Sequence, residues 1–189
     1  MPKAKISREM VINAAFDIAR RGGIESVNAR SVAEKLGCST QPVMYHFSKI
    51  EEMKRAVCEK AELYHSEYLM DLRNPDEGIM LGIGLNYIRF AIREPHLFRF
   101  LFQSGYALEN SLIEMIDSEG LKPILGMMSG AMQLSFEQTK EVFLTISMFA
   151  HGYASIIANN SLEYDESAVA VHLERAYRGA VLALREEII

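Results

Sequence analysis

Residues 37–53, GCSTQPVMYHFSKIEEM, decide the fold. Gly37 is suited to ending one helix, and Ser39 can open the next by offering its hydroxyl to a free N–H. Pro42 then falls in the first turn of a helix running from Thr40 to about Phe47, where its missing N–H costs no hydrogen bond. The stretch therefore predicts a short helix entered by a tight turn. Val43 and Phe47, four residues apart, share one face and should pack inward with Cys38 of the turn. Thr40, Gln41, Met44, Tyr45 and His46 are left on the outer face or its rim. An uncommitted surface helix would more commonly carry Lys and Glu there, so these groups suit recognition.

Working outward, Met10, Val11, Ala14, Ala15, Ile18 and Ala19 recur with helical spacing up to Gly22-Gly23. Asn28 can cap a second helix, 29–36, whose inward face is Val32, Ala33 and Leu36. Two short helices joined by Gly37-Cys38-Ser39 and braced by a longer one make a helix-turn-helix, in which the second short helix lies in the major groove of DNA. Charge agrees with this. The chain carries −5 overall, but its first 60 residues hold 11 Lys and Arg against 7 Asp and Glu, and the remainder 9 against 18. One end is built to approach phosphates and the body is not.

The run RRGGIESVNARSVAEKLG, 20–37, followed by CSTQPVMYHFSKIEEM, 38–53, resembles the DNA-binding segment of the TetR-type transcriptional regulators. The match covers about the first sixty residues. Tyr45, His46 and Phe47 fit the aromatic-His-Phe group that closes the recognition helix in that family. Met44 stands where relatives usually carry a phosphate-contacting tyrosine and Ile50 where they usually carry a lysine, and Lys49 offers a cation one position earlier. The resemblance implies a homodimer, a pseudo-palindromic double-stranded DNA operator, and release by a small molecule.

Side-chain chemistry assigns roles within the motif. Gln41 can pair bidentately with adenine, Thr40 can bond a base or a phosphate, and Pro42 can touch a thymine methyl. Ser39 and Met44 border them. Tyr45 and His46 have tips that reach toward phosphate. Arg30 and Lys49, at the starts of the second and fourth helices, can meet backbone phosphate, helped by the positive ends of those helices.

Helical patterns continue to the end of the chain, so the expected class is all-α: a DNA-binding domain over 1–50, and a helical ligand-binding and dimerisation domain over 51–189 whose first helix, 51–71, connects the two. Asn74-Pro75-Asp76 marks a break after that helix. Further helices are expected over 77–93, 96–103, 108–118, 121–132, 136–159 and 165–188. PHLFRFLFQ, 95–103, and Ala150-His151-Gly152 resemble a subgroup of TetR-type ligand domains in which a Trp-His-Gly triplet is common, with alanine here in place of tryptophan. Adaptable methionines and aromatic rings supply pocket candidates for a small hydrophobic effector: Phe98, Phe102, Met115, Met128, Met132, Met148, Phe149, His151 and Tyr153. Ala176, Gly179, Ala180 and Ala183 form a small-residue stripe suited to close helix packing, which the resemblance places at the dimer seam and a bland reading places in the core.

Other function classes find less support. Glu62-Leu63-Tyr64-His65 has the Glu-x-x-His spacing of helical di-metal sites, but such sites need the motif twice and no second copy is present. No phosphate loop, His-Glu-x-x-His pair or nucleophile elbow occurs, so neither enzyme activity nor a metal or cofactor is expected. A module binding only protein would leave the polar recognition helix unexplained. Cys38 and Cys58, twenty apart, read as reduced thiols, and no apolar run approaches a membrane span, so a cytoplasmic protein is expected.

Overall fold

A computed structural model of the chain describes residues 6–72, 78–106, 116–160 and 162–186. Nine α-helices and one 3-10 turn, without strands, are present among them: α1 Arg8–Gly22, the turn Ile24–Ser26, α2 Ala29–Lys35, α3 Thr40–Met44, α4 Ile50–Met70, α5 Ile79–Arg93, α6 Pro95–Gln103, α7 Lys122–Met132, α8 Phe136–Asn160 and α9 Glu166–Glu186. The class is all-α as expected. The break at 74–76 and most of the helix expected over 108–118 lie outside the described residues.

By packing, the chain forms two compact units, Met1–His65 with Glu94–Ala107, and Ser66–Arg93 with Leu108–Ile189. The first thus reaches beyond residue 50 to take in most of α4 and all of α6. In it, Val11, Ala15, Ala19, Val32, Val43, Phe47, Met53 and Val57 are buried around the helix-turn-helix. α6 joins through its apolar face, Leu97, Phe98, Phe100 and Leu101, and through a buried carboxylate. Glu94, next to Pro95 at the start of α6, accepts from Arg20 Nε of α1 at 2.7 Å and from the Tyr64 hydroxyl of α4 at 3.1 Å. A second guanidinium nitrogen of Arg20 closes the bidentate pair. Three helices meet on one carboxylate, which is satisfied by charge-assisted bonds rather than left as a bare buried charge.

In the second unit α5 packs on α8 and α9, and α7 packs on α8. Ile83, Leu85, Ile88 and Phe90 are buried on α5, and Val142, Ile146, Ala150, Ala154 and Ile157 form the buried row of α8. Gly84 lets α9 come close, since a Cβ there would lie 3.3 Å from Leu173 Cδ1. Arg89 Nε of α5 donates to Glu166 Oε2 at 2.9 Å at the first turn of α9, and this bond holds the Glu166 carboxyl below the usual range. Ser135 and Gln138 form a reciprocal cap at the start of α8, at 3.2 and 3.0 Å. α8 is long and apolar enough by composition to cross a membrane. Here it is a bundle helix with one row of residues buried.

Candidate nucleic-acid interface

Local chemistry sets the caps and the turn of the helix-turn-helix. Asn28 Oδ1 accepts the N–H groups of Arg30 and Ser31, each at 3.0 Å, and Ser31 Oγ accepts the N–H of Asn28 at 3.1 Å, closing a capping box on α2. At the other end Gly37 takes φ 64°. The N–H of Cys38 then bonds Ala33 O at 3.0 Å and that of Gly37 bonds Glu34 O at 3.1 Å. This is the Schellman arrangement, which satisfies the last carbonyls of α2 and turns the chain sharply into α3. α3 itself ends at Met44 rather than near Phe47; Tyr45 is its C-cap and His46 N–H bonds Val43 O at 3.3 Å. A tighter i to i+3 bond ends the helix so that the Phe47 ring can turn into the core.

The two faces divide as expected. Val43 and Phe47 are buried, while Thr40, Gln41 and Ser39 are exposed and Tyr45 is 81% exposed. Cys38 is half-buried and Cys58 buried. Ser39 makes no side-chain capping bond, and no hydrogen bond of the Thr40, Gln41 or Tyr45 side chains occurs among the described residues. Pro42 and Met44 are half-buried at the rim, and Arg30 and Lys49 are exposed. The structure thus brings Ser39, Thr40, Gln41 and Tyr45 together on one open surface.

Contacts with Ile6, Arg8 and Glu52 border this surface. His46 Nε2 is 2.8 Å from the carbonyl oxygen of Ile6. A carbonyl can only accept, so Nε2 carries the proton and that edge of the ring is engaged within the chain. The Arg8 guanidinium lies 5.0 Å from the centroid of the Phe47 ring. Glu52 Oε2 accepts from the N–H and hydroxyl of Ser48, both at 2.9 Å. Those two bonds, with Arg8 adding a smaller attraction, hold the Glu52 carboxyl below its usual range. Nothing local in the sequence joins His46 to Ile6, forty residues apart.

Comparison with known proteins gives one kind of match. No protein-family model and no curated protein sequence matches this chain. Solved structures do. A tetR-family transcriptional regulator from Streptomyces coelicolor superposes on 96% of this chain and 82% of its own, with TM-score 0.72 at 15% identity. A transcriptional regulator from Rhodococcus sp. Rha1 covers 94% and 97%, with TM-score 0.61 at 16% identity. The multidrug binding protein EbrR complexed with ethidium covers 89% and 97%, with TM-score 0.59 at 14% identity. The chain has the TetR-type fold.

Within this TetR-type fold the residues expected to line an effector pocket are scattered. Phe98 is fully buried in the first unit, 5.2 Å centroid to centroid from Phe102, whose ring also meets His65 edge-on at 5.2 Å. Met128 and Met132 are buried in the second unit, whereas Met148 is 53% and Phe149 36% exposed on the outer face of α8. Helical phase explains the last two: they fall between the inward positions Ile146 and Ala150. Tyr153 is half-buried, and Met115 lies outside the described residues. His151 has its polar partners inside the chain, the Tyr87 hydroxyl 2.9 Å from Nδ1 and Ser155 Oγ 3.2 Å from Nε2. Burial lowers the pKa of His151 and raises that of Tyr87, so both are neutral near pH 7. The second unit also holds a cavity of about 510 Å³ lined by Ile79, Met80, Leu81, Ile146, Leu173 and Tyr177, among others. None of the eight expected residues that are described lines it. Of the small-residue stripe on α9, Gly179 and Ala183 are exposed and Ala176 and Ala180 half-buried. His65 of the Glu-x-x-His spacing is half-buried with its Nε2 shielded from solvent, and burial lowers its pKa to about 4.

Proposed function

We propose that this protein is a ligand-responsive, sequence-specific DNA-binding transcriptional regulator, a cytoplasmic repressor that leaves its operator when a small hydrophobic molecule occupies the helical body. The observation that carries the reading is the division of α3. Val43 and Phe47 are consumed by the core, while Ser39, Thr40, Gln41 and Tyr45 stand exposed on a helix whose start and approach are fixed by the turn at Gly37. Ordinary folding needs no such polar, nearly uncharged display. Gln41 and Thr40 have the donors and acceptors to read base edges, and Arg30, Lys49 and Tyr45 surround them with groups for phosphate.

The regulator acts as a homodimer on a pseudo-palindrome. Supporting this, the outer face of α8 exposes Met148, Phe149 and Ile156, and α9 exposes Gly179 and Ala183. Large apolar groups beside small ones on adjacent helices suit a close helix-to-helix seam. The seam therefore takes Met148 and Phe149 out of the effector site. Met128, Met132, His151 and Tyr153 remain its candidate lining. The structural likeness to the multidrug binding protein EbrR, which was solved with ethidium, supports a small-molecule site in this chain. Binding is the activity; the half-buried His65 and the internally satisfied His151 are placed for structure rather than for reaction.

Titrating the protein with a labelled duplex of random sequence at two salt concentrations tests the reading. Phosphate contacts release counterions, so affinity should fall steeply as salt rises. Binding that is absent or indifferent to salt would remove the DNA-binding role.

A further inference from the structure

In the second unit α5 and α9 come close where Gly84 meets Leu173. About one turn further along both helices the cavity of about 510 Å³ opens, with Ile79 of α5 and Tyr177 of α9 among its walls. Ala131, near the end of α7, lines it as well. Ile146 and Leu173 are its inner lining, 7% and 3% exposed, whereas Ile79 is 38% exposed. The volume falls within the range of small-molecule sites, about 300–1,000 Å³. Apolar walls hold water poorly, so an apolar occupant is favoured over solvent.

The polar groups of the cavity gather on one helix. Glu174, Tyr177 and Arg178 of α9 all line it. Glu174 Oε1 accepts from Arg178 Nη2 at 2.6 Å, so these two bring both signs of charge and no net one. A charged ligand would meet its own sign beside the opposite one and would leave water for apolar walls, which is costly for an unpaired charge. Tyr177 is half-buried, and no hydrogen bond of its hydroxyl occurs among the described residues. The cavity therefore offers a neutral molecule one hydrogen-bond donor at the edge of an apolar space.

We propose that this cavity is a binding site for a neutral, mainly apolar small molecule that presents a carbonyl or ether oxygen to the Tyr177 hydroxyl. The site is distinct from the group of Met128, Met132, His151 and Tyr153, none of which lines it. It does not depend on the DNA-binding reading, and its test contains no DNA.

The full-length protein is titrated with prodan, a neutral naphthalene fluorophore with one carbonyl oxygen, whose emission moves to the blue in apolar surroundings. Saturable binding with a blue shift is expected. Ala131 is exposed, so Ala131→Trp should fold, and its ring should occupy the cavity and weaken binding about tenfold or more. Tyr177→Phe keeps the ring and removes the donor, and should weaken binding about threefold to tenfold. Anilinonaphthalene sulfonate, an anion of similar shape, should bind about tenfold more weakly than the neutral probe. His151→Phe, in the other group, should leave the titration unchanged. No saturable binding by wild type, or wild-type affinity in Ala131→Trp, overturns the site, and a loss confined to His151→Phe overturns it by moving the probe to the other group. Unchanged affinity in Tyr177→Phe overturns the role of the hydroxyl, and an anion that binds as tightly as prodan overturns the ligand class. Binding that weakens as protein concentration rises, with self-association seen in sedimentation, gives the cavity to a second copy of the chain and overturns the small-molecule site.

Discussion

Tyr45, the C-cap of α3, separates recognition from folding cleanly. Its side chain is 81% exposed, and its one close ring neighbour among the described residues is His46, edge-on at 5.3 Å. Tyr45→Phe keeps that ring contact and removes only the hydroxyl, so thermal stability should stay within about 0.5 kcal/mol of wild type. If the hydroxyl donates to a backbone phosphate, a hydrogen bond to a charged group is lost, about 1.5 kcal/mol at the exposed end of the usual range. Two recognition helices on a pseudo-palindrome double this to about 3 kcal/mol, roughly a hundredfold in affinity. The loss should be equal on operator and on random duplex, because a phosphate carries no sequence. The salt slope should not change, since a neutral hydroxyl displaces no counterion. Fluorescence anisotropy on both duplexes, with a melting curve as control, measures all three quantities. Wild-type affinity for the Phe variant would refute the phosphate contact, and a large fall in melting temperature would make Tyr45 a packing residue.

Gln41→Ala should cost about 1–3 kcal/mol per half-site on the preferred sequence and relax choice at one base pair, whereas Lys49→Ala should weaken all sequences alike and flatten the salt slope; affinities on operator and random DNA distinguish the two, and equal losses for Gln41→Ala would deny it a base-reading role. Gly179 meets nothing within 4 Å that a Cβ would touch, so Gly179→Glu should leave the protomer folded but put a charge into the proposed dimer seam; sedimentation should show a monomer, and a dimeric variant would take Gly179 out of the seam. His65 titrates near 4 when folded against about 6.5 when unfolded. The unfolded chain therefore binds the extra proton between those values, so the His65 contribution is present above pH 6.5 and about 3 kcal/mol of it is lost as pH falls through 4. Urea unfolding at pH 7 and pH 4.5 should show a smaller acid loss for His65→Leu than for wild type; equal losses would place the acid sensitivity elsewhere.

The parts of the fold that depend on neighbours in sequence were legible from sequence. Asn28 caps the start of α2 and Gly37 turns the chain after its end, because capping is a local hydrogen-bonding problem with few solutions; Ser39 stands at the N-cap of α3 without making the expected side-chain bond. Val43 faces inward for the equally local reason of helical phase, whereas Phe47 reaches the core because α3 ends before it. What escaped was long-range or depended on phase that side-chain type concealed. Glu94 reads as a residue before a proline, and only the fold brings Arg20, 74 positions away, and Tyr64 to its carboxylate. His46 has a phosphate-reaching tip, yet its Nε2 proton goes to Ile6. Met148 and Phe149 have the chemistry of a pocket, yet they fall on the outward side of α8. Their phase against Ile146 and Ala150 would have shown it. The extent of the first packing unit, with α6 included, follows from those same distant contacts.

Selection of bound duplexes from a random DNA pool tests the central claim most directly. Two α3 helices held on a two-fold axis should enrich a pseudo-palindrome whose half-sites are about 34–36 Å, one helical turn, or a multiple of it apart, and Gln41→Ala should lose preference at one position in each half. Enrichment of no sequence, or of one without two-fold symmetry, would contradict the account of this protein as a dimeric reader of operator DNA.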